Sequence, residues 1–81
     1  MSQENYLKAL DLLDEGKWDA AHAICQSDEG IPMADWIHAH LHKEEGDLSN
    51  AAYWYRRCAK DHLSLALKEE RDLIRKTLTE A

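Results

Sequence analysis

Gly16-Lys17-Trp18-Asp19-Ala20-Ala21 and Gly46-Asp47-Leu48-Ser49-Asn50-Ala51 are one pattern written twice, 30 residues apart. Glycine falls on glycine, Trp18 on Leu48, and Ala21 on Ala51. Carried backward, the register sets Ala9 against Ala39. Carried forward, it sets Cys25 against Tyr55. Each copy reads as a helix, a tight turn and a second helix. The glycine stands just past the first helix, where the backbone takes a positive φ that a side chain disfavours.

The remaining punctuation divides the chain into five helices and no strands. Glycine occurs only at 16, 30 and 46, and proline only at 32; valine and phenylalanine are absent. Sustained period-two alternation, the signature of a half-buried strand, is missing. The expected helices cover about 3–15, 18–27, 32–45, 48–60 and 62–79. Pro32 suits a first helical turn, because its missing N–H would have no partner there. Asp47 and Asp61 are expected as N-caps of the fourth and fifth helices, where a carboxylate accepts orphan backbone N–H groups. Leu63, Leu67, Ile74 and Leu78 mark one face of the fifth helix, and Asp72 and Lys76 form an i,i+4 pair along it.

This spacing resembles the tetratricopeptide (TPR) repeat. The family pattern of small residue, glycine, alanine and aromatic is matched by Ala39, Gly46, Ala51 and Tyr55, with Cys58 where a small residue follows. The first unit supplies Ala9, Gly16, Ala21 and Cys25. The repeat is 30 residues rather than the usual 34, and Lys8 and His38 stand where a core leucine is common. The resemblance implies an all-α antiparallel hairpin array forming a single domain. Repeat one covers about 3–27, repeat two about 33–60, and a C-terminal capping helix about 62–79. The stretch from Trp36 to Arg57 is also similar to a block in small uncharacterised bacterial proteins, a resemblance that carries no function with it. Repeat arrays usually need about three units to bury a continuous core. The fifth helix can cover one open end. A second copy is a candidate cover for the other, hence a possible homodimer, against a self-sufficient monomer.

Composition removes several function classes. Eighty-one residues make one domain. Sixteen acids against ten bases give a net charge of −6, contrary to the phosphate-neutralising chemistry of a nucleic-acid binder. No apolar run approaches the ~20 residues a membrane-spanning helix needs. Met1-Ser2-Gln3-Glu4-Asn5 lacks a signal peptide's basic-then-apolar pattern. Cys25 and Cys58 make no disulfide framework, which points to a reducing cytoplasm. Residues 1–50 carry a net −8 and residues 51–81 a net +2, an asymmetry that can guide docking or simply mark two solvated faces.

The residues bearing chemistry are few. His38 and His42, at i and i+4 on one helix, share a face and can grip one metal together, whereas His40 points elsewhere. His22, His62, Cys25 or Cys58 can complete such a set after folding. The favoured reading is instead a structural polar cluster satisfied by Tyr53, Tyr55 and backbone carbonyls. Neither cysteine is accompanied by an oxyanion hole, Glu44 and Glu45 diverge around the helix, and no phosphate-binding loop exists, so no enzyme and no cofactor are expected. Tyr53, Trp54 and Tyr55 point in three directions and cannot all fill one core, so a ring is left for an interface or for packing on the fifth helix. In TPR arrays the first helix of each repeat lines a concave surface. By that resemblance Tyr6, Leu10 and Leu13 from one unit, and Trp36, His40 and Lys43 from the other, would receive a peptide or amphipathic helix. The leading expectation is therefore a non-catalytic protein–protein interaction module, adaptor or regulatory, anchoring a protein or peptide partner through Tyr6, Leu10, Trp36 and His40. Arg56 and Arg57 form a second candidate surface for an acidic segment. The alternative is a small metal- or ligand-sensing protein using His38 and His42.

Overall fold

The repeated turn is visible in the backbone. In a computed structural model, which describes residues 3–80, five helices follow one another: α1 (Gln3–Asp14), α2 (Trp18–Ser27), α3 (Pro32–Glu44), α4 (Leu48–Arg57) and α5 (Leu67–Thr79). The fold is all-α, with no strand among the described residues, and no helix is long and apolar enough to cross a membrane. α1 ends with the Lys17 N–H donating to the Leu12 carbonyl (2.8 Å) and the Gly16 N–H to Leu13 (3.0 Å). α3 ends identically: Asp47 to His42 (2.9 Å) and Gly46 to Lys43 (3.1 Å). Both are Schellman ends, with glycine at φ +78° and +89° respectively. No atom lies within 4 Å of where a Cβ would sit on either glycine. The left-handed backbone, not crowding, therefore demands glycine there.

α1 packs chiefly on α2, and α3 chiefly on α4, with α2 against α3 joining the two hairpins. The repeat's small residues lie at the contacts: Ala9, Ala21, Ala39 and Ala51 are all fully buried. Leu10, Leu13, Ile37, Leu41, Tyr55 and Ile74 fill the space around them. Pro32 opens α3 as expected, and the Asp47 carboxylate accepts the Asn50 N–H at 3.4 Å to cap α4.

α5 departs from expectation. It begins at Leu67 rather than near 62, and its N-cap is Ala66 rather than Asp61. The reason is Lys43. Its ammonium donates to the carbonyls of His62 (2.9 Å) and Leu65 (2.8 Å) and meets Glu70 Oε1 at 2.6 Å, so all three of its hydrogens are used. Carbonyls held by a lysine from α3 pin 61–66 as an irregular connection, and Leu63 stays exposed. Asp72 pairs with Lys68 (3.0 Å), not with Lys76.

α5 packs on α1 and α3. Arg75 reaches Asp11 (2.8 Å) and Asp14 (2.7 Å), and Arg71 reaches Asp14 (2.9 Å) and Glu44. The Gln3 amide donates to the Leu78 carbonyl. The basic C-terminal part thus folds onto the acidic N-terminal part of the same chain.

α4 ends in the same hydrogen-bond pattern as α1 and α3, Lys60 N–H to Tyr55 (3.0 Å) and Ala59 N–H to Arg56 (3.3 Å), but with Ala59 in the glycine position at φ +58°. Ala59→Gly relieves that strain. It is expected to raise the unfolding free energy by about 0.5–1 kcal/mol, read from urea denaturation.

Candidate functional site

The surface expected to receive a partner is occupied by the chain itself. Tyr6, Leu10, Trp36 and His40 are all buried, which corrects their expected role as groove anchors. The side chain opposite Trp36 and His40 is Glu70, from the first turn of α5 and fully buried. Trp36 Nε1–H (3.0 Å) and the Tyr55 hydroxyl (2.6 Å) donate to Glu70 Oε2, and His40 Nδ1–H (2.7 Å) and Lys43 donate to Oε1. Arg71 Nε, which can only donate, lies 3.0 Å from His40 Nε2, so the His40 proton is assigned to Nδ1. Leu10 is sealed in the apolar core, and the Tyr6 hydroxyl donates to Asp28 Oδ2 (2.8 Å) on the α2–α3 connection. Burial, followed by that carboxylate, pushes the Tyr6 phenol up to about 12.

Tyr55, expected as a partner for the histidines, is thus committed to Glu70, and Tyr53 is exposed and accepts from Arg57 Nη1 at 3.1 Å. Trp54 packs on His38 rather than on α5. Cys25 and Cys58 are free and buried; burial first, then nearby acids, pushes the Cys25 thiol up to about 12, and burial also raises Cys58. Neither is a thiolate at neutral pH. A surface depression of about 400 Å³ between α1 and α5 is lined by Asp14, Leu67, Lys68, Arg71, Asp72 and Arg75. Its walls include the ion pairs that hold those helices together.

The expected face of His38 and His42 does converge, and His22 of α2 completes it. The donor nitrogens of the three imidazoles lie within 4.8 Å of one another. His22 Nε2 and His38 Nε2 are 3.0 Å apart. The His42 ring is oriented by Glu45, whose Oε2 lies 2.7 Å from His42 Nδ1. The cluster sits between two indoles. Trp18 stacks on His22 (4.7 Å between centroids) and Trp54 on His38 (4.0 Å). Trp18 is itself fixed by an Nε1–H bond to the Leu41 carbonyl (2.9 Å). Two of the three histidines are buried and His22 is half-buried. His38 Nδ1 is buried without a hydrogen-bond partner. Burial, then His22, His42 and Arg57, lowers His38 to about 4; burial, then His42, lowers His22. Both rings are neutral at neutral pH.

Sequence reasoning found His38 and His42 by their spacing and named His22 among several possible third members. It missed Glu70, which reads as one acid among four charged residues from Lys68 to Arg71. Its only distinguishing signal is its place one turn before Ile74 on the buried face of α5. Comparison with protein-family models, curated proteins and solved structures finds no match. The functional reading therefore rests on the chain's own residues.

Two predictions follow from Glu70. Burial raises its pKa, but hydrogen bonds from His40, Lys43 and Tyr55 outweigh that and hold the carboxyl at about 2. A carboxylate depressed in the folded state stabilises it above the unfolded pKa and loses that contribution as pH falls toward the folded one. Thermal stability should therefore fall between about pH 4.5 and 2, and Glu70→Gln should flatten that part of the profile. At pH 7 Glu70→Gln leaves the Lys43 ammonium without its carboxylate in a buried site. The expected loss is about 3–5 kcal/mol in urea unfolding followed by circular dichroism.

Proposed function

We propose that the chain is a non-catalytic binding domain of TPR-like construction that captures an acidic segment of a protein partner on the exposed face of α4. The observation that carries this reading is the state of Arg56 and Arg57. Arg71 and Arg75 are paired with carboxylates of α1 and α3. Arg56, by contrast, has no carboxylate within 4 Å among the described residues, and Arg57 approaches Asp35 only at 4.0 Å. Both arginines are exposed in a chain with sixteen acids. The Arg57 guanidinium lies over the rings of Trp54 (5.0 Å) and Tyr53 (5.8 Å), and its Nη1 donates to the Tyr53 hydroxyl. Tyr53, 44% exposed, is one turn before Arg57 on the same face. Two guanidiniums beside an exposed aromatic ring offer bidentate pairing with carboxylates and an amphipathic anchor, the side chains favoured at the centre of protein interfaces. The buried, protonated thiols and the fully engaged Glu70 carboxylate support a role without chemistry.

The test uses a fluorescein-labelled peptide of alternating Asp, Glu and Tyr and reads its anisotropy. Binding is expected to weaken as salt rises and to fall at least about tenfold in the Arg56→Glu, Arg57→Glu double variant, the scale of losing one or two charge-assisted hydrogen bonds. No binding by the parent chain, or equal binding by the double variant, contradicts the reading.

A further inference from the structure

We infer that His22, His38 and His42 form a binding site for one divalent first-row transition metal ion, of which zinc is the type, held by three Nε2 atoms between α2 and α3.

The donor chemistry selects the ion. Three imidazole nitrogens suit zinc, copper or nickel and are poor ligands for calcium or magnesium, which take oxygen. Zinc–nitrogen bonds of about 2.0–2.1 Å at tetrahedral angles place the nitrogens about 3.3 Å apart. The His22–His38 pair already stands at 3.0 Å, and all three donors lie within 4.8 Å, so small side-chain rotations close the set. The helices supply the ligands in the pattern such sites use: His38 and His42 one turn apart on α3, and His22 facing them from α2.

The surroundings are built as a metal site's surroundings are. A ligating histidine usually donates its other ring N–H to a carboxylate, which fixes its tautomer and raises its basicity. His42 does this through Nδ1 to Glu45. The indoles of Trp18 and Trp54 hold the rings of His22 and His38 by stacking. His38 Nδ1, buried and unpartnered, is a cost that an apolar residue would avoid. A ligand on Nε2 gives the core a reason to keep an imidazole there. It also makes Nδ1 the protonated nitrogen of His38, with no acceptor to orient it, so the His38 ring is held by stacking on Trp54. Three protein ligands with half-buried His22 at the rim leave a fourth position open to solvent, the arrangement of sites that exchange a ligand rather than closed structural ones. A neighbouring group, His42 with Glu45 and Asp47, shares His42 but has two exposed carboxylates. It would turn His42 to ligate through Nδ1 and give up the Glu45 hydrogen bond.

The inference is independent of the arginine face and is tested without it. The full, tag-free chain is titrated at pH 7.5 with zinc chloride by calorimetry and with cobalt(II) by visible absorption. Binding of one ion per chain is expected, with the intense d–d bands of a tetrahedral cobalt site. His22→Gln, at a half-buried position that leaves the core intact, should weaken binding at least 100-fold. Glu45→Gln should weaken it about 10- to 100-fold, as loss of an orienting carboxylate does. Asp47→Asn and His62→Gln, outside the triad, should bind as the parent does. Absence of binding tighter than about 100 µM, octahedral cobalt bands, or His22→Gln binding like the parent overturns the inference. Loss in Asp47→Asn with His22→Gln unaffected overturns it in favour of the carboxylate group.

Discussion

The Glu70 carboxylate is the constraint around which this domain is arranged. It enters the core from α5 and meets four donors: the Trp36 indole, the His40 imidazole and the Lys43 ammonium from α3, and the Tyr55 hydroxyl from α4. A carboxylate has about four acceptor sites, and here each has a donor. Removing a charge from water costs several kcal/mol, which only such complete satisfaction offsets. The arrangement is directional as well as attractive. One rotation of α5 about its axis would strand four buried donors, so the register of α5 on the rest of the chain is fixed by that single side chain. Arg71, one residue on, extends the network through His40 to Asp14 and Glu44 and carries it from core to surface.

This explains how so short a chain closes. Two hairpins bury one set of faces against each other, but the outer surface of α1 and α3 is left over. α5 lies on that surface, with Glu70 and Ile74 buried and Arg71 and Arg75 clasping the acids of α1 and α3. The surface a repeat array would offer to a partner's helix is therefore filled by the chain's own. Lys43 performs two tasks at once, neutralising Glu70 and holding the 61–66 connection by its carbonyls. The charge asymmetry between the two parts of the sequence serves, at Asp11, Asp14, Arg71 and Arg75, to join them.

What the sequence disclosed, and what it hid, divides by the range of the interaction. The turns were legible because Gly16 and Gly46 answer to a local backbone requirement, and Pro32 and Asp47 to local capping. The alanines at 9, 21, 39 and 51 were legible because a repeat displays its close contacts twice. The start of α5 was not, because Lys43, 19 and 22 residues away, holds the His62 and Leu65 carbonyls that a helix would have used. Glu70 was hidden for the same reason: its donors come from α3 and α4, and within its own helix only its spacing from Ile74 separates it from exposed Glu69. The pair His38 and His42 could be read from i,i+4 spacing, whereas choosing His22 over His62 required the packing of α2 on α3. Trp36 and His40 meet Glu70 instead. Their partner is α5 rather than a second molecule.

Two polar constellations thus share α3 and serve opposite ends. Around Glu70 every donor and acceptor is satisfied, as a structural network requires. Around His22, His38 and His42 one nitrogen is orphaned, the rings are stacked, and a donor nitrogen of each lies within 4.8 Å of the others. That contrast is the basis for assigning structure to the first and metal binding to the second. The most direct measurement is X-ray absorption at the zinc edge of the loaded protein. Three nitrogen scatterers at about 2.0 Å, with the outer-shell multiple scattering of imidazole rings, are predicted. A shell of oxygen ligands without imidazole scattering would contradict the assignment.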